Sequence, residues 1–458
     1  MGALTGEQAD TFRRAIEHGR ELLHSRVIWN VNSTARGGGV AEMLASLLAY
    51  TRGAGLDARW VVIGGDPAFF RVTKRVHNML HGAPGDGAGL GPDDEAVYRR
   101  AAERNVRELA RIVQSGDVVL LHDPQTAGLA EPLRALGAHV VWRCHIGVDR
   151  PDELAREAWS FLLPHVRSAD AVVFSRRAYV WEGLDEARVS VIPPSIDAFS
   201  EKNQNMAPET MSAVLRTAGL EPGHPEAPPV FERRDGSPGR VDRAAELSGS
   251  EPLPADVPAI VQVSRWDRLK DPIGVLEAFC AGIGPTTNAH LVIAGPSTAA
   301  VADDPEGAEV LSEVGRRRAR TPPELRRRIH LFSLPMDDIG ENAAIVNALQ
   351  RRADVIAQKS LAEGFGLTVA EGMWKARPVV GTRVGGIREQ IVEDETGLLV
   401  DPLDLDSFAS AVTGLLTNDE RARTMGERAR EAVRDLFLGA RHLGQYVELF
   451  EALLRART

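Results

Sequence analysis

The run Lys359-Ser-Leu-Ala-Glu363-Gly-Phe-Gly-Leu-Thr-Val-Ala-Glu371 sets two carboxylates eight residues apart around a glycine turn. A short apolar run, 355–357, leads into it, and a helical pattern leaves it from about Leu367. Main-chain N–H groups at Gly364, Phe365, Gly366, Leu367 and Thr368 are then free to meet an anion, which the helix dipole also favours. Glu363 and Glu371 at the two ends of such a turn suit the hydroxyls of a sugar and a ribose. Taken alone, the same residues also suit a tight strand-to-helix turn whose acids complement the dipole. A second constellation is Arg265-Trp-Asp-Arg-Leu-Lys270, directly after the apolar run 259–264. Arg265 and Lys270 can converge on one pyrophosphate, the first by paired N–H bonds and the second as a point charge. Alone, they also read as a solvated basic loop.

Three further stretches carry weaker signals. Asn30-Val-Asn32 runs into Gly37-Gly38-Gly39, where three glycines at a helix start can cradle a phosphate or admit a sugar closely. The spacing is not that of a dinucleotide fingerprint, and a loop built only for turning fits it equally. Arg143-Cys144-His145 ends another apolar run, so His145 can donate to a sugar hydroxyl or can be a structural residue, while Cys144 reads as a small apolar side chain. Residues 65–82 mix Phe69 and Phe70 with Lys74, His77, Asn78 and His81, as a carbohydrate pocket or a loop entering a helix would. Asp404-Leu-Asp406 reads as helix capping rather than metal ligation. Neither a G-x-S-x-G nor an H-E-x-x-H pattern occurs.

These residues need a scaffold, and the apolar pattern supplies one. Short β-branched runs at 26–32, 58–65, 117–123, 139–145, 171–175 and 189–195 predict buried strands, with helical patterns between them. One such helix follows Gly39, with Val40, Leu44, Leu47 and Leu48 on one face. A second series occupies 259–264, 290–296, 329–333, 353–358, 378–382 and 397–401. Strand–helix alternation implies parallel sheets covered on both faces. Between the series, residues 201–260 hold nine of the 27 prolines and a single aromatic, Phe231. That composition predicts a flexible insertion, preceded by a short helix over 209–220. The expected division is a first domain over 1–200, a linker with its insertion over 201–258, and a second domain over 259–435. The amphipathic helix of 436–458 can pack back on the first.

The 458 residues are enough for two or three domains with sizeable cores. Only two cysteines, Cys144 and Cys280, argue against a disulfide scaffold or a multi-cysteine zinc module. With 54 basic and 64 acidic residues the net charge is −10, which argues against nucleic acid or an anionic membrane as the main partner. No apolar run reaches the roughly 20 residues of a membrane span, and the opening residues lack the apolar core of a signal peptide. A cytoplasmic location is expected.

Together and in order, these segments resemble the retaining GT-B glycosyltransferases of family 4. The expected fold is thus α/β, with two doubly wound Rossmann-like domains facing each other across a cleft. Within that group WNVNSTARGGGVAEML, ARWVVIGGDPAFFRVTKRVHNMLHG, WRCHIG, PPSIDAFSEKN, QVSRWDRLKD and EGFGLTVAEGMWKARPVVGTRVGGI resemble the trehalose glycosyltransferring synthases. The resemblance implies transfer of glucose from ADP-, UDP- or GDP-glucose to the anomeric hydroxyl of free glucose, giving α,α-trehalose reversibly. It implies an acceptor-binding first domain and a second that binds the nucleotide sugar. It implies that Arg265 and Lys270 hold the diphosphate, that Glu363 contacts the transferred glucose, and that His145 supports it near the reacting centre. Gly38, Gly39, Gly364, Phe365, Gly366, Leu367, Thr368 and Glu371 then fall on the donor side, with Glu371 on the ribose. Asn32, Gly37, Lys74, His77, Asn78 and Asp123 fall on the acceptor side. No cofactor or bound metal is expected, and a homodimer is left open. A trehalose phosphorylase, or a transferase to another acceptor, is the alternative. In two respects the chain departs from the family pattern. Gly147 and Val148 delay the acid after His145 to Asp149, and the proline-rich insertion is longer.

Overall fold

Two six-stranded parallel sheets organise the chain, and each belongs to its own unit. The computed structural model describes residues 3–34, 39–298 and 305–456. The first unit comprises Met1–Ser195 and Phe437–Thr458, and the second Ile196–Leu436. In the first, β1 (Ile28–Asn32), β2 (Ala58–Val62), β3 (Val118–His122), β4 (His139–Cys144), β5 (Ala171–Phe174) and β6 (Val189–Val191) lie in the order β2-β1-β3-β4-β5-β6. The apolar runs of the sequence match these strands because both sheet faces are covered, so successive residues are buried whichever way they point. Alternation still sorts them. Trp29, Val31, Val119, Leu121, Val140 and Trp142 fill the core on one face. Ile28, Val118, Leu120 and Val141 fill the other, together with Leu443, Tyr446, Phe450 and Leu453 of the C-terminal helix Gly439–Arg455. Each fully buried side chain of that kind contributes about 1.5–3 kcal/mol, which holds the helix to its sheet.

The hairpin of β7 (Val230–Glu232) and β8 (Pro238–Arg240) opens the second unit's strand series. Its sheet is β9 (Ala259–Val263), β10 (His290–Pro296), β11 (Ile329–Leu334), β12 (Val355–Gln358), β13 (Val379–Thr382) and β14 (Leu398–Val400), ordered β11-β10-β9-β12-β13-β14. In each sheet the chain reverses its direction of strand addition, between β1 and β3 and between β9 and β12. In doubly wound folds that is where ligands bind, beyond the strands' carboxyl ends.

The stretch expected to be a flexible insertion is ordered and belongs to the second unit. Phe231 is buried, and a Cβ on Gly239 would meet its ring at 2.3 Å. Arg233 forks onto Asp338 at 3.0 and 2.6 Å. Buried Glu341 accepts the main-chain N–H groups of Asp242 and Arg243, each at 2.6 Å. Glu246 pairs antiparallel with Ser333, covering the edge strand β11. Charge pairs and edge pairing order a segment whose own apolar content is too low to do so. The short helix before it is Pro208–Thr217, and Asp404 caps Leu405–Leu416 through the N–H of Ser407. No helix among the described residues is long and apolar enough to cross a membrane.

Candidate active site

In the second unit, the loops after β9 and β12 leave adjacent strands and are tied together. The N–H of Leu361 donates to the carbonyl of Leu269 at 2.8 Å. Lys270 Nζ donates to Glu363 Oε2 at 2.5 Å, with both side chains mostly buried. Lys359, 1 % exposed, pairs with Asp271 and donates to the Pro402 carbonyl at 2.9 Å. Asp271 adopts the left-handed conformation (φ 48°) and caps the next helix through the Gly274 N–H. Beneath the loops, Gln262 Nε2 donates to the Lys270 carbonyl at 2.7 Å. Ser360 Oγ donates to Glu363 at 3.2 Å, and Thr368 Oγ1 donates to Gln358 Oε1 at 2.8 Å.

Gly366 (φ 80°) is the residue before the helix Leu367–Trp374, a position where a side chain would be strained. Gly386 packs so closely on the turn that a Cβ would lie 2.5 Å from Phe365 Cα. Gln390 Nε2 holds the Phe365 carbonyl at 2.5 Å and that of Gly366 at 3.2 Å. The carbonyls are thereby drawn inward, and the helix keeps its N-terminal polarity at the loop end. Glu371, on the same helix, is 5 % exposed and lies 3.6 Å from Lys202 Nζ and 3.5 Å from Gln350 Nε2. Lys375 donates to Asn203 Oδ1 at 2.9 Å and to the Glu371 carbonyl at 3.1 Å, and burial pulls its ammonium pKa down. Arg265 stands apart from this cluster. Its side chain is 66 % exposed and pairs with Asp267 at 3.1 Å, so the two cations expected to converge have separate partners here.

In the first unit, polar residues gather at the ends of β1, β3 and β4. Asn30, His122 and Arg143 follow the alternation onto the sheet face that carries the C-terminal helix. Asn30 Oδ1 lies 3.1 Å from His122 Nε2, and His122 Nδ1 lies 3.1 Å from His145 Nε2. The two imidazoles stack, with centroids 5.4 Å apart. Burial, with the Arg143 charge added, lowers the His122 pKa to about 3 and holds His145 well below the usual histidine range. Asp123 has φ 64° and accepts the His145 N–H at 2.8 Å. Burial raises its pKa to about 7. Asn32 accepts from Trp60 Nε1 and donates to the Thr34 carbonyl, both at 2.7 Å.

Lys74, His77 and Asn78 share one face of the helix Pro67–Leu80, with His77 edge-on to His81 at 5.0 Å. Gly39 begins the helix Gly39–Gly53, whereas Gly37 and Gly38 lie outside the described residues. Asp149, the delayed acid, pairs with buried Arg176.

Sequence reasoning gave no role to Asn30, His122, Gln358, Lys359 or Asp271. A signal was present for the first four, since each is a polar residue within or just after an apolar strand run. Asp271 carried only its position before Pro272, which favours a helix cap.

Comparison with known proteins identifies the family and the fold. Residues 30–181 match the family model described as trehalose synthase, N-terminal domain, and residues 244–432 match glycosyl transferases group 1. The trehalose synthase of Rubrobacter xylanophilus is 36% identical over 435 residues, covering 94% of this chain and 92% of that one. The trehalose synthase of Pyrococcus horikoshii is 35% identical over 438 residues, covering 96% and 92%. The trehalose phosphorylase of Pleurotus pulmonarius is 25% identical and covers 93% of this chain but 57% of its own. A solved E. coli chain bound with UDP-2-fluoro glucose superposes with a TM-score of 0.67 at 15% identity, covering 93% and 98%. The chain belongs to the trehalose synthase family and is a glycosyltransferase of the GT-B fold.

Proposed function

We propose that the protein is a retaining glucosyltransferase. It takes glucose from a nucleoside diphosphate glucose and passes it to the anomeric hydroxyl of free glucose, forming α,α-trehalose reversibly. The observation that carries this reading is the join between the β9 and β12 loops at the switch point of the second sheet. There Lys270 lies beside Glu363 at the start of a glycine turn that leads into a helix N-terminus.

The reaction builds negative charge on the departing diphosphate. Lys270, Arg265 and the N–H groups at 364–368 would stabilise it, as preorganised donors placed where charge develops. Arg265 would leave Asp267 to do so. Glu363 would orient the transferred glucose, and Glu371, held by Lys202 and Gln350, would receive the ribose hydroxyls. A diphosphate oxygen would take the proton of the attacking hydroxyl, so the substitution occurs on one face and needs no pair of catalytic carboxylates. In the first unit His145 would support the glucose. Asn32, Asp123 and the Lys74, His77 and Asn78 face would meet the acceptor. No resident metal enters the reading.

The test is to incubate the protein with trehalose and ADP, UDP or GDP separately and to measure nucleotide glucose formed. Formation with at least one nucleotide is expected, and that result also names the base. The phosphorylase relative favours a second reading, in which inorganic phosphate replaces the nucleotide. Phosphate-dependent breakdown of trehalose, indifferent to all three nucleotides, would overturn the first reading in favour of the second.

A further inference from the structure

Arg143 is fully buried and has no carboxylate partner among the described residues. A buried cation satisfied only by neutral groups is costly, so each of its protons needs an acceptor nearby. Guanidinium has five donors and no acceptor. Its Nε–H faces His145 Nδ1 at 3.4 Å, so that nitrogen carries a lone pair. The neutral ring then keeps its proton on Nε2, which donates to His122 Nδ1 at 3.1 Å. His122 must in turn be protonated on Nε2, where it donates to Asn30 Oδ1 at 3.1 Å. The reverse direction would set an N–H of His145 against the N–H of Arg143.

A second branch runs the other way. Arg143 Nη1 donates to the Tyr446 hydroxyl at 2.6 Å and lies 3.4 Å from His442 Nε2, which must accept. His442 is thereby protonated on Nδ1 and donates to Ser195 Oγ at 2.8 Å. Nη2 donates to the Ile192 carbonyl at 3.0 Å. The Tyr446 ring also lies 5.6 Å from the guanidinium carbon.

We propose that Arg143 is a positioning residue that holds His145 as a neutral imidazole protonated on Nε2, and that the C-terminal helix, through Tyr446 and His442, holds Arg143. His145 then serves through a fixed N–H dipole and not as a base. The tautomer stands on the geometry alone; its importance for turnover rests on the proposed role of His145. The charged and titratable groups beside His145 are Arg143 from β4, His122 and Asp123 from β3 and its end, and His442 from the helix; Cys144 points into the core on the other sheet face, and Tyr446 is held by Arg143. Arg441, on the same helix, is spent on the carbonyls of Pro193 and Pro194. Burial raises the Asp123 carboxyl to about 7, so this group, unlike the histidines, is placed to titrate near neutrality.

The experiment is imidazole nitrogen NMR on the full chain with labelled histidine, each signal assigned by substitution. His145 and His122 should show protonated Nε2 and bare Nδ1, and His442 the opposite. None of the three should titrate between about pH 5 and 8. A proton on His145 Nδ1, or a titration of His145 in that window, overturns the proposal. Arg143→Lys keeps the charge but cannot reach both branches. It should let His145 mix tautomers and lower kcat about 10²-fold, with KM changed much less. Tyr446→Phe, which keeps the ring and its packing, should move both readouts the same way by less. Unaltered His145 signals in both variants would also overturn the proposal. His145→Ala with undiminished turnover would sink the donor-side role of His145 while leaving the tautomer result intact.

Discussion

The loop ends of the two sheets solve one problem with opposite electrostatics. In the first unit the buried cation Arg143 donates to neutral acceptors, and the histidines beside it are held uncharged. In the second unit the cations are paired directly with carboxylates, Lys270 with Glu363 and Lys359 with Asp271. Both places carry an aspartate with positive φ, Asp123 and Asp271. Such a residue costs of order 1–3 kcal/mol and persists only where its surroundings impose it. A neutral, directional network suits uncharged sugar hydroxyls. A set of cations already held close, beside a helix N-terminus, suits a diphosphate. On the proposed reading the contrast also answers how a protein of net charge −10 holds an anion: local groups do so, independently of the total.

The comparison can be broken most sharply at Lys359. Lys359→Met leaves the Asp271 carboxylate mostly buried without its cation, so stability should fall by about 3–5 kcal/mol. Denaturant unfolding measures it, and a loss below about 1 kcal/mol would mean that the pair does not hold the loops. Next comes Lys270→Ala, expected to lower turnover about 10²–10³-fold while the circular dichroism spectrum is kept. Near-wild-type turnover would remove Lys270 from the diphosphate site. Arg265→Ala should also cost turnover, but less than Lys270→Ala, because Arg265 is exposed and shares its charge with Asp267. Its stability should stay within about 0.5 kcal/mol of the parent. A stability loss without an activity loss would reverse that assignment.

The smallest effect sharpens the first unit. Burial raises the Asp123 pKa from 3.8 to about 7, so between those values the folded chain binds the proton that the unfolded chain has released. Its contribution is fully present below the lower value, declines as pH rises toward about 7, and is flat beyond. Asp123→Asn should remove that slope, and thermal melts of both proteins across the window would show it. Identical slopes would place the titration elsewhere.

Much of the scaffold was legible in the residues alone. All twelve strands of the two parallel sheets appear as apolar runs, because a parallel sheet covered on both faces imposes nothing but burial on each position. The turn around Glu363 was legible for a similar reason. Close backbone approach demands glycine, and a helix start tolerates acid. The proline-rich stretch misled because composition counts only what a segment can bury itself. It cannot count Asp338 and Glu341, which lie about a hundred positions further on and bind Arg233 and Arg243. Spacing suggested that Arg265 and Lys270 converge, but spacing does not say which carboxylate each will meet, and in the fold they take Asp267 and Glu363 separately.

By itself, then, the sequence determined the two α/β units, the strands of their parallel sheets and the loops that leave those strands. Those follow from local periodicity and from conformational needs that only certain residue types meet. The tertiary structure alone decided the partners: Lys359 with Asp271, His122 with His145, and Arg143 with Tyr446 some three hundred positions away. A charged or polar side chain announces that it needs a partner once buried, but the partner is chosen by distance in space, which no local pattern encodes.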